Sequence, residues 1–176
     1  DNVTIKNCKI TDFYNGIDFS NAGTGNSTFY NNTLSSNTYT GLSIGTSKNN
    51  TIKNNTAYQN YHGIMLHHGA NLNLLKENNI TGNDQYGVWI IHTETENNTL
   101  LNNRLVDNAR GAIRHTEAPT NNLVIYNNSF GEILWFGNSN LTISNDLDFG
   151  SNLEITKNNI YFNTSAGSNY NRSANL

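Results

Sequence analysis

Four of the five histidines recur near one position after a repeated glycine. His67 and His68 stand four and five residues after Gly63, His92 five after Gly87, and His115 four after Gly111. Trp89, Arg114 and Glu117 lie close by, with Glu94, Glu96 and Arg110 around them. Two kinds of chemistry use these residue types. In a sugar groove, Trp89 stacks on a ring, Arg114 pairs with a uronate carboxylate, and His68, His92, His115 or Glu117 move protons. In a metal site, His92, His115 and a glutamate are the ligands, since imidazole and carboxylate both suit a zinc-like cation. The plainer arrangement is a polar edge of stacked histidines bonded along a ladder. The spacing favours that one, so neither metal nor cofactor is expected and no catalytic residue is assigned.

These residues fall in one row only if the chain repeats. One marker is glycine followed by alternating apolar residues, as in Gly16-Ile17-Asp18-Phe19, Gly41-Leu42-Ser43-Ile44, Gly63-Ile64-Met65-Leu66, Gly87-Val88-Trp89-Ile90 and Gly111-Ala112-Ile113-Arg114. Glycine there implies positive φ or close approach of the next turn of chain. In this alignment Arg114 takes the inward slot of Phe19, Ile44, Leu66 and Ile90, so it must escape to solvent or find a carboxylate such as Glu117, unless the helix narrows or bends at this coil. A second marker is an apolar residue three before an inward slot holding Cys8, Asn32, Asn55, Asn78, Asn103, Asn128 and Asn158. Asparagine returns five residues later at Asn37, Asn60, Asn83, Asn108 and Asn163.

A period this regular predicts an all-β, parallel β-helix of about seven coils of roughly 22 to 25 residues. Each coil has short strands that pair only with their equivalents one coil away. Aligned asparagines then form ladders, each amide donating to the carbonyl oxygen of the next coil. The solenoid is expected over residues 1–163, with a Ser/Asn-rich tail or linker over 164–176; the stretch Asp146-Leu147-Asp148-Phe149 breaks the rhythm.

This pattern resembles the right-handed parallel β-helix repeat family of carbohydrate-binding proteins and sugar hydrolases, including the NosD-like periplasmic proteins. The resemblance covers roughly residues 2–163 and implies the fold; the family is too varied to imply one activity. Polygalacturonase-like members carry an Asp pair with a Gly-His-Gly element, and this sequence has neither. Pectate-lyase-like members need clustered carboxylates for calcium, and no such cluster is visible.

Composition narrows the partners. Asparagine fills 37 of 176 positions, charged residues make up 13%, and the net charge is −3. That surface is too poor in Lys and Arg for nucleic acid, and no apolar run is long enough to span a membrane. A single cysteine, Cys8, excludes an intrachain disulfide. The sequence starts inside the repeat without a basic-then-apolar leader, which reads as a mature fragment or one domain of a longer protein. With no capping helix in sight, the expected partners are further copies of the chain, end to end or laterally, or other domains of that protein, with polysaccharide as the alternative.

Eleven Asn-x-Ser/Thr triplets occur, at Asn2, Asn26, Asn31, Asn49, Asn54, Asn79, Asn97, Asn127, Asn140, Asn163 and Asn171. None starts at the six ladder asparagines Asn32, Asn55, Asn78, Asn103, Asn128 and Asn158, so the triplets are expected to face outward, either as glycan acceptors or as turn formers that tolerate left-handed backbone. The leading expectation is an extracellular or cell-surface structural module, N-glycosylated and able to form a filament, and not an enzyme. The alternative is a carbohydrate-binding or carbohydrate-modifying β-helix.

Overall fold

Short apolar–polar alternations separated by asparagine bends cannot close a sheet locally, so the chain coils and pairs each strand with its equivalent one turn away. The computed structural model describes residues 2–20, 25–116, 122–126, 128–131, 134–136, 140–144 and 161–162. They form three parallel sheets. The first contains Thr4–Lys6, Thr28–Tyr30, Thr51–Lys53, Leu74–Lys76, Thr99–Leu101, Asn122–Tyr126 and Asn140–Ser144. The second contains Lys9–Thr11, Thr33–Ser35, Thr56–Tyr58, Asn79–Thr81, Arg104–Val106 and Ser129–Phe130. The third contains Asn15–Phe19, Thr40–Gly45, His62–His67, Tyr86–Ile91, Gly111–Thr116, Leu134–Phe136 and Tyr161–Phe162. Five turns run from Thr4 to Thr116, a sixth adds a strand to every sheet, and two further strands extend the first and third sheets, slightly short of seven full coils. No helix occurs among the described residues, hence none long and apolar enough to cross a membrane. The irregular stretch 146–149 and the tail 164–176 lie outside the described residues.

Strand register stacks like on like. Ile5, Phe29, Ile52, Leu75, Leu100 and Ile125 form one inward column, and Ile10, Leu34, Ala57, Ile80, Leu105 and Phe130 another. From the second turn on, these side chains are buried up to Ile125. Each large aliphatic one contributes about 1.5–3 kcal/mol by leaving water.

The corners carry the polar part of the core. At each, a residue with left-handed backbone is followed by one that points inward. Asn7, Asn31, Asn54, Glu77 and Asn102 occupy the left-handed position before the slot of Cys8, Asn32, Asn55, Asn78 and Asn103. Asparagine is favoured there because its short polar side chain lowers the cost of positive φ. The inward amides bond along the axis: Nδ2 of Asn32, Asn55, Asn78 and Asn103 donates to Oδ1 of Asn55, Asn78, Asn103 and Asn128 at 3.0, 3.0, 2.9 and 2.8 Å. Each Oδ1 also accepts the backbone N–H of the preceding ladder residue, as Asn78 does from Asn55 at 2.9 Å. Each Nδ2 also donates to a backbone carbonyl of the turn before, as Asn78 does to Ile52 at 2.8 Å. Asn158 lies outside the described residues.

A second ladder joins Asn37, Asn60, Asn83 and Asn108. A third, which the sequence repeat left unassigned, joins Asn50, Asn73 and Asn98. In the first turn the three slots hold Val3, Cys8 and Phe13, whose backbone N–H groups still donate to Ser27 Oγ, Asn32 Oδ1 and Asn37 Oδ1. The first two ladders thus stop one turn short of the first strand, and the third, whose slot holds Ser27 in the second turn, stops two turns short.

The glycine row answers to close approach rather than to positive φ. A Cβ on Gly16, Gly41, Gly63 or Gly87 would stand 2.7, 2.7, 2.5 or 2.7 Å from the carbonyl oxygen of Gly41, Gly63, Gly87 or Ala112. The last partner corrects the sequence alignment: Ala112, and not Gly111, continues the row. All three ladders advance by 25 residues across that turn, which carries Gly87 to position 112.

Candidate functional site

That one-residue correction redistributes the residues singled out from sequence. In register, Trp89 faces Arg114 and Ile90 faces His115. Arg114 is therefore outward, in a row with Asp18, Ser43, Met65 and Trp89. His115 takes the inward slot of Phe19, Ile44, Leu66 and Ile90 instead, and is 1% exposed. Neither ring nitrogen of His115 has a hydrogen-bond partner, and burial lowers its pKa to about 4. His115 thus lies inside the coil, away from the outer face that carries Trp89 and Arg114. Glu117 lies outside the described residues.

Arg114 lies against two aromatic rings. Its guanidinium carbon is 5.1 Å from the Tyr86 centroid and 5.6 Å from that of Trp89, and Nη1 donates to the Tyr86 hydroxyl at 3.1 Å. Cation–ring attraction holds the guanidinium flat against the sheet face. Among the described residues no carboxylate pairs with it, and the bond to Tyr86 uses one of its five donors. Two more donors share this face: Trp89 Nε1 and Thr116 Oγ1 are shielded from solvent and have no partner. Thr116 sits two residues beyond Arg114 on the same strand, hence on the same side.

Beneath this group lies His62, which is 2% exposed. Its ring stacks on Tyr86 at 5.7 Å and packs on Trp89 at 4.6 Å. Burial first, and then the Arg114 charge, lower its pKa to about 4. Tyr14, Tyr39 and Tyr61 continue the aromatic surface toward the first turn, with stacked centroids 5.2 and 5.9 Å apart. The sequence reading missed this stack. Its signal was available: a tyrosine two residues before Gly16, Gly41 and Gly63.

The remaining histidines gather at the far end of the same sheet. His67 Nδ1 and His68 Nδ1 are 2.6 Å apart, and the His68 and His92 ring centroids lie 3.8 Å apart with the planes tilted by 32°. His67 Nε2 meets Ser43 Oγ at 2.9 Å. Burial, then the neighbouring His68 and, more weakly, His92, lower the His67 pKa to about 4 against the opposing pull of Asp18. The sheet thus brings together Trp89 with Arg114, and His68 with His92 and His67.

Of the outward triplet asparagines, Asn2, Asn26, Asn49 and Asn97 hold φ of 60, 53, 57 and 54° at one corner, and Asn31 and Asn54 hold 54 and 53° at another. The side chains of Asn2, Asn26, Asn31 and Asn49 are exposed. Asn79 lies in a strand and accepts from Arg104 Nη1 at 3.2 Å. Asn140 opens the strand Asn140–Ser144. Asn127, Asn163 and Asn171 lie outside the described residues.

Comparison with solved structures finds two epimerases. A point mutant of the periplasmic alginate epimerase AlgG superposes with a TM-score of 0.64 at 22% identity, covering 91% of this chain and 38% of that one. The A-module of the mannuronan C-5 epimerase AlgE4 of Azotobacter vinelandii superposes with a TM-score of 0.53 at 22% identity, covering 76% of this chain and 34% of that one. The chain thus spans little more than a third of either structure, and identity this low carries the fold alone. No curated protein sequence gives a significant match. The family model for the right handed beta helix region matches residues 1–148, and the chain belongs to that family.

Proposed function

We propose that the outer face of the third sheet binds an acidic polysaccharide, with Arg114 taking a uronate carboxylate and Trp89, Tyr86 and Thr116 completing the contact. The observation that carries this reading is Arg114 itself. It is a cation with spare donors, laid on two aromatic rings and flanked by two unpartnered donors, Trp89 Nε1 and Thr116 Oγ1. Aromatic faces and planar forks are the means by which proteins take up sugar rings and carboxylates. The two solved neighbours act on alginate and mannuronan, which supports the substrate class and extends the reading from binding to modification. An extracellular or envelope location follows from such a substrate.

The test is titration of the protein with alginate and with an uncharged glucan, followed by NMR of the recovered alginate. Saturable binding of alginate alone, lost in Arg114→Ala, is the expected result. A change in the uronate composition would add turnover. Equal binding of both polymers, or binding indifferent to Arg114→Ala, sinks the reading.

A second reading, a glycosylated surface module that packs on further copies or on other domains, draws on two features. The edge turn exposes Val3, Phe13 and Tyr14, and the triplet asparagines Asn2, Asn26, Asn31 and Asn49 point to solvent. Left-handed φ accounts for asparagine at those corners without a glycan. The binding face is therefore the better supported of the two.

A further inference from the structure

We propose that His67 and His68 form a site for one transition-metal dication of the zinc type, with His92 as the third imidazole. The site lies on the same sheet, at the opposite end of its strands from His62 and Tyr86, and does not rest on the polysaccharide reading.

The contact that calls for explanation is the 2.6 Å between the two Nδ1 atoms. Two imidazole lone pairs do not face each other at that distance. Either one ring carries Nδ1–H and donates it to the other, or a cation shared by both takes the place of that hydrogen. The other nitrogen of His67 is anchored by a directed chain. Nε2 lies 2.9 Å from Ser43 Oγ and donates to it in the Nε2–H tautomer, Ser43 Oγ is 3.5 Å from Ser20 Oγ, and Ser20 donates to the Asp18 carboxylate. A carboxylate-backed anchor on one nitrogen fixes the tautomer and leaves Nδ1 as a lone pair, which is the outer-shell arrangement around metal-binding histidines. Ser43 is 1% exposed, so the anchor is part of the packed face.

The fold also makes room for this ring. His67 faces Gly45 in register, and a Cβ on Gly45 would lie 2.5 Å from His67 Cε1 and 3.0 Å from both ring nitrogens. His68 and His92 both hold left-handed backbone, with φ of 48 and 75°. His92 Nδ1 accepts the His68 N–H at 3.4 Å, which leaves its Nε2 unengaged by that contact.

Among the described residues, no three ligand atoms already surround one point. Two nitrogens of a tetrahedral zinc, each about 2.05 Å from the metal, are about 3.3 Å apart. Widening the pair to that separation needs only a small rotation of the exposed His68 ring, and His92 then turns its free edge inward. An all-imidazole site suits zinc, copper or nickel over magnesium or calcium.

Isothermal titration of the whole chain with Zn²⁺ alone at pH 7.5 tests the proposal, with circular dichroism to confirm folding. One zinc per chain is expected. His68→Asn, chosen because asparagine tolerates left-handed backbone, should abolish binding, and Gly45→Ala should weaken it by crowding the ring. Ser43→Ala should weaken binding about tenfold through the lost anchor. No saturable binding, or affinity unchanged in a folded His68→Asn variant, overturns the site and leaves the pair sharing a proton.

Discussion

Arg114 Nη1 donates to the hydroxyl of Tyr86 at 3.1 Å across one turn of the solenoid, while its guanidinium carbon rests 5.1 Å from the same ring. One residue thus fixes the cation twice, through its edge and through its face. Lysine offers a point charge and no planar fork. Arg114→Lys should therefore weaken alginate binding by about tenfold, or about 1.4 kcal/mol, while leaving the melting temperature near that of the parent. Titration calorimetry beside a thermal melt checks both halves, and equal affinity in the two proteins refutes the role of the fork.

His115 leads to a prediction of the opposite sign. It fills a core slot with both nitrogens unpartnered. An unsatisfied buried polar group costs about 1–3 kcal/mol, so His115→Leu should stabilise the fold by about that much in urea denaturation.

The same residue sets a pH dependence. The folded pKa of His115 is lowered to about 4, as are those of His62 and His67. An unfolded histidine titrates near 6.5, so the unfolded chain takes up protons first. Stability should hold above about pH 6.5 and fall as pH drops toward 4, by up to about 1.4 kcal/mol per pH unit each for His115 and His62 and by less for the more exposed, solvent-screened His67. Denaturation midpoints between pH 7 and pH 4 should decline less steeply in His115→Leu; identical slopes would refute its share.

Asn78 tests the ladders. Its Oδ1 accepts from Asn55 N and Nδ2, and its Nδ2 donates to Ile52 O and Asn103 Oδ1. Asn78→Ala strands several buried groups and should cost about 3–5 kcal/mol at 1–3 kcal/mol for each stranded group. Asn78→Asp keeps the acceptor but sets a carboxylate against two oxygens, so it should be at least as damaging at neutral pH and recover in part on acidification. A loss below about 1 kcal/mol for Asn78→Ala, at the level of a single ordinary hydrogen bond, would mean that the ladder is ornamental.

Gly63 tests the close approach. A Cβ there would meet Ile80 Cγ2 at 2.4 Å and Gly87 O at 2.5 Å. Gly63→Ala should lower stability by about 1–3 kcal/mol through overpacking, whereas Gly82→Ala meets nothing within 4 Å and pays only for its φ of 62°. Comparing the two melts separates steric crowding from backbone strain.

The sequence by itself determined the fold and its period. Glycine and asparagine recur because each turn repeats one steric and one hydrogen-bonding demand, and such demands leave a trace at fixed spacing. The ladder of Asn32, Asn55, Asn78, Asn103 and Asn128 was legible for that reason. The third ladder was not, because its slot holds asparagine only at Asn50, Asn73 and Asn98, with Val3 and Ser27 in the two turns before. Only the tertiary structure decided which way Arg114 and His115 point. A slip of one residue reverses every side chain in a strand, and the nearest glycine, Gly111, was one residue out of register with the row. The stack of Tyr14, Tyr39 and Tyr61, and the meeting of His67 with His68 and Ser43, likewise depend on axial distances between turns. Periodicity names the slot a residue occupies, but contact between slots depends on how the turns are stacked.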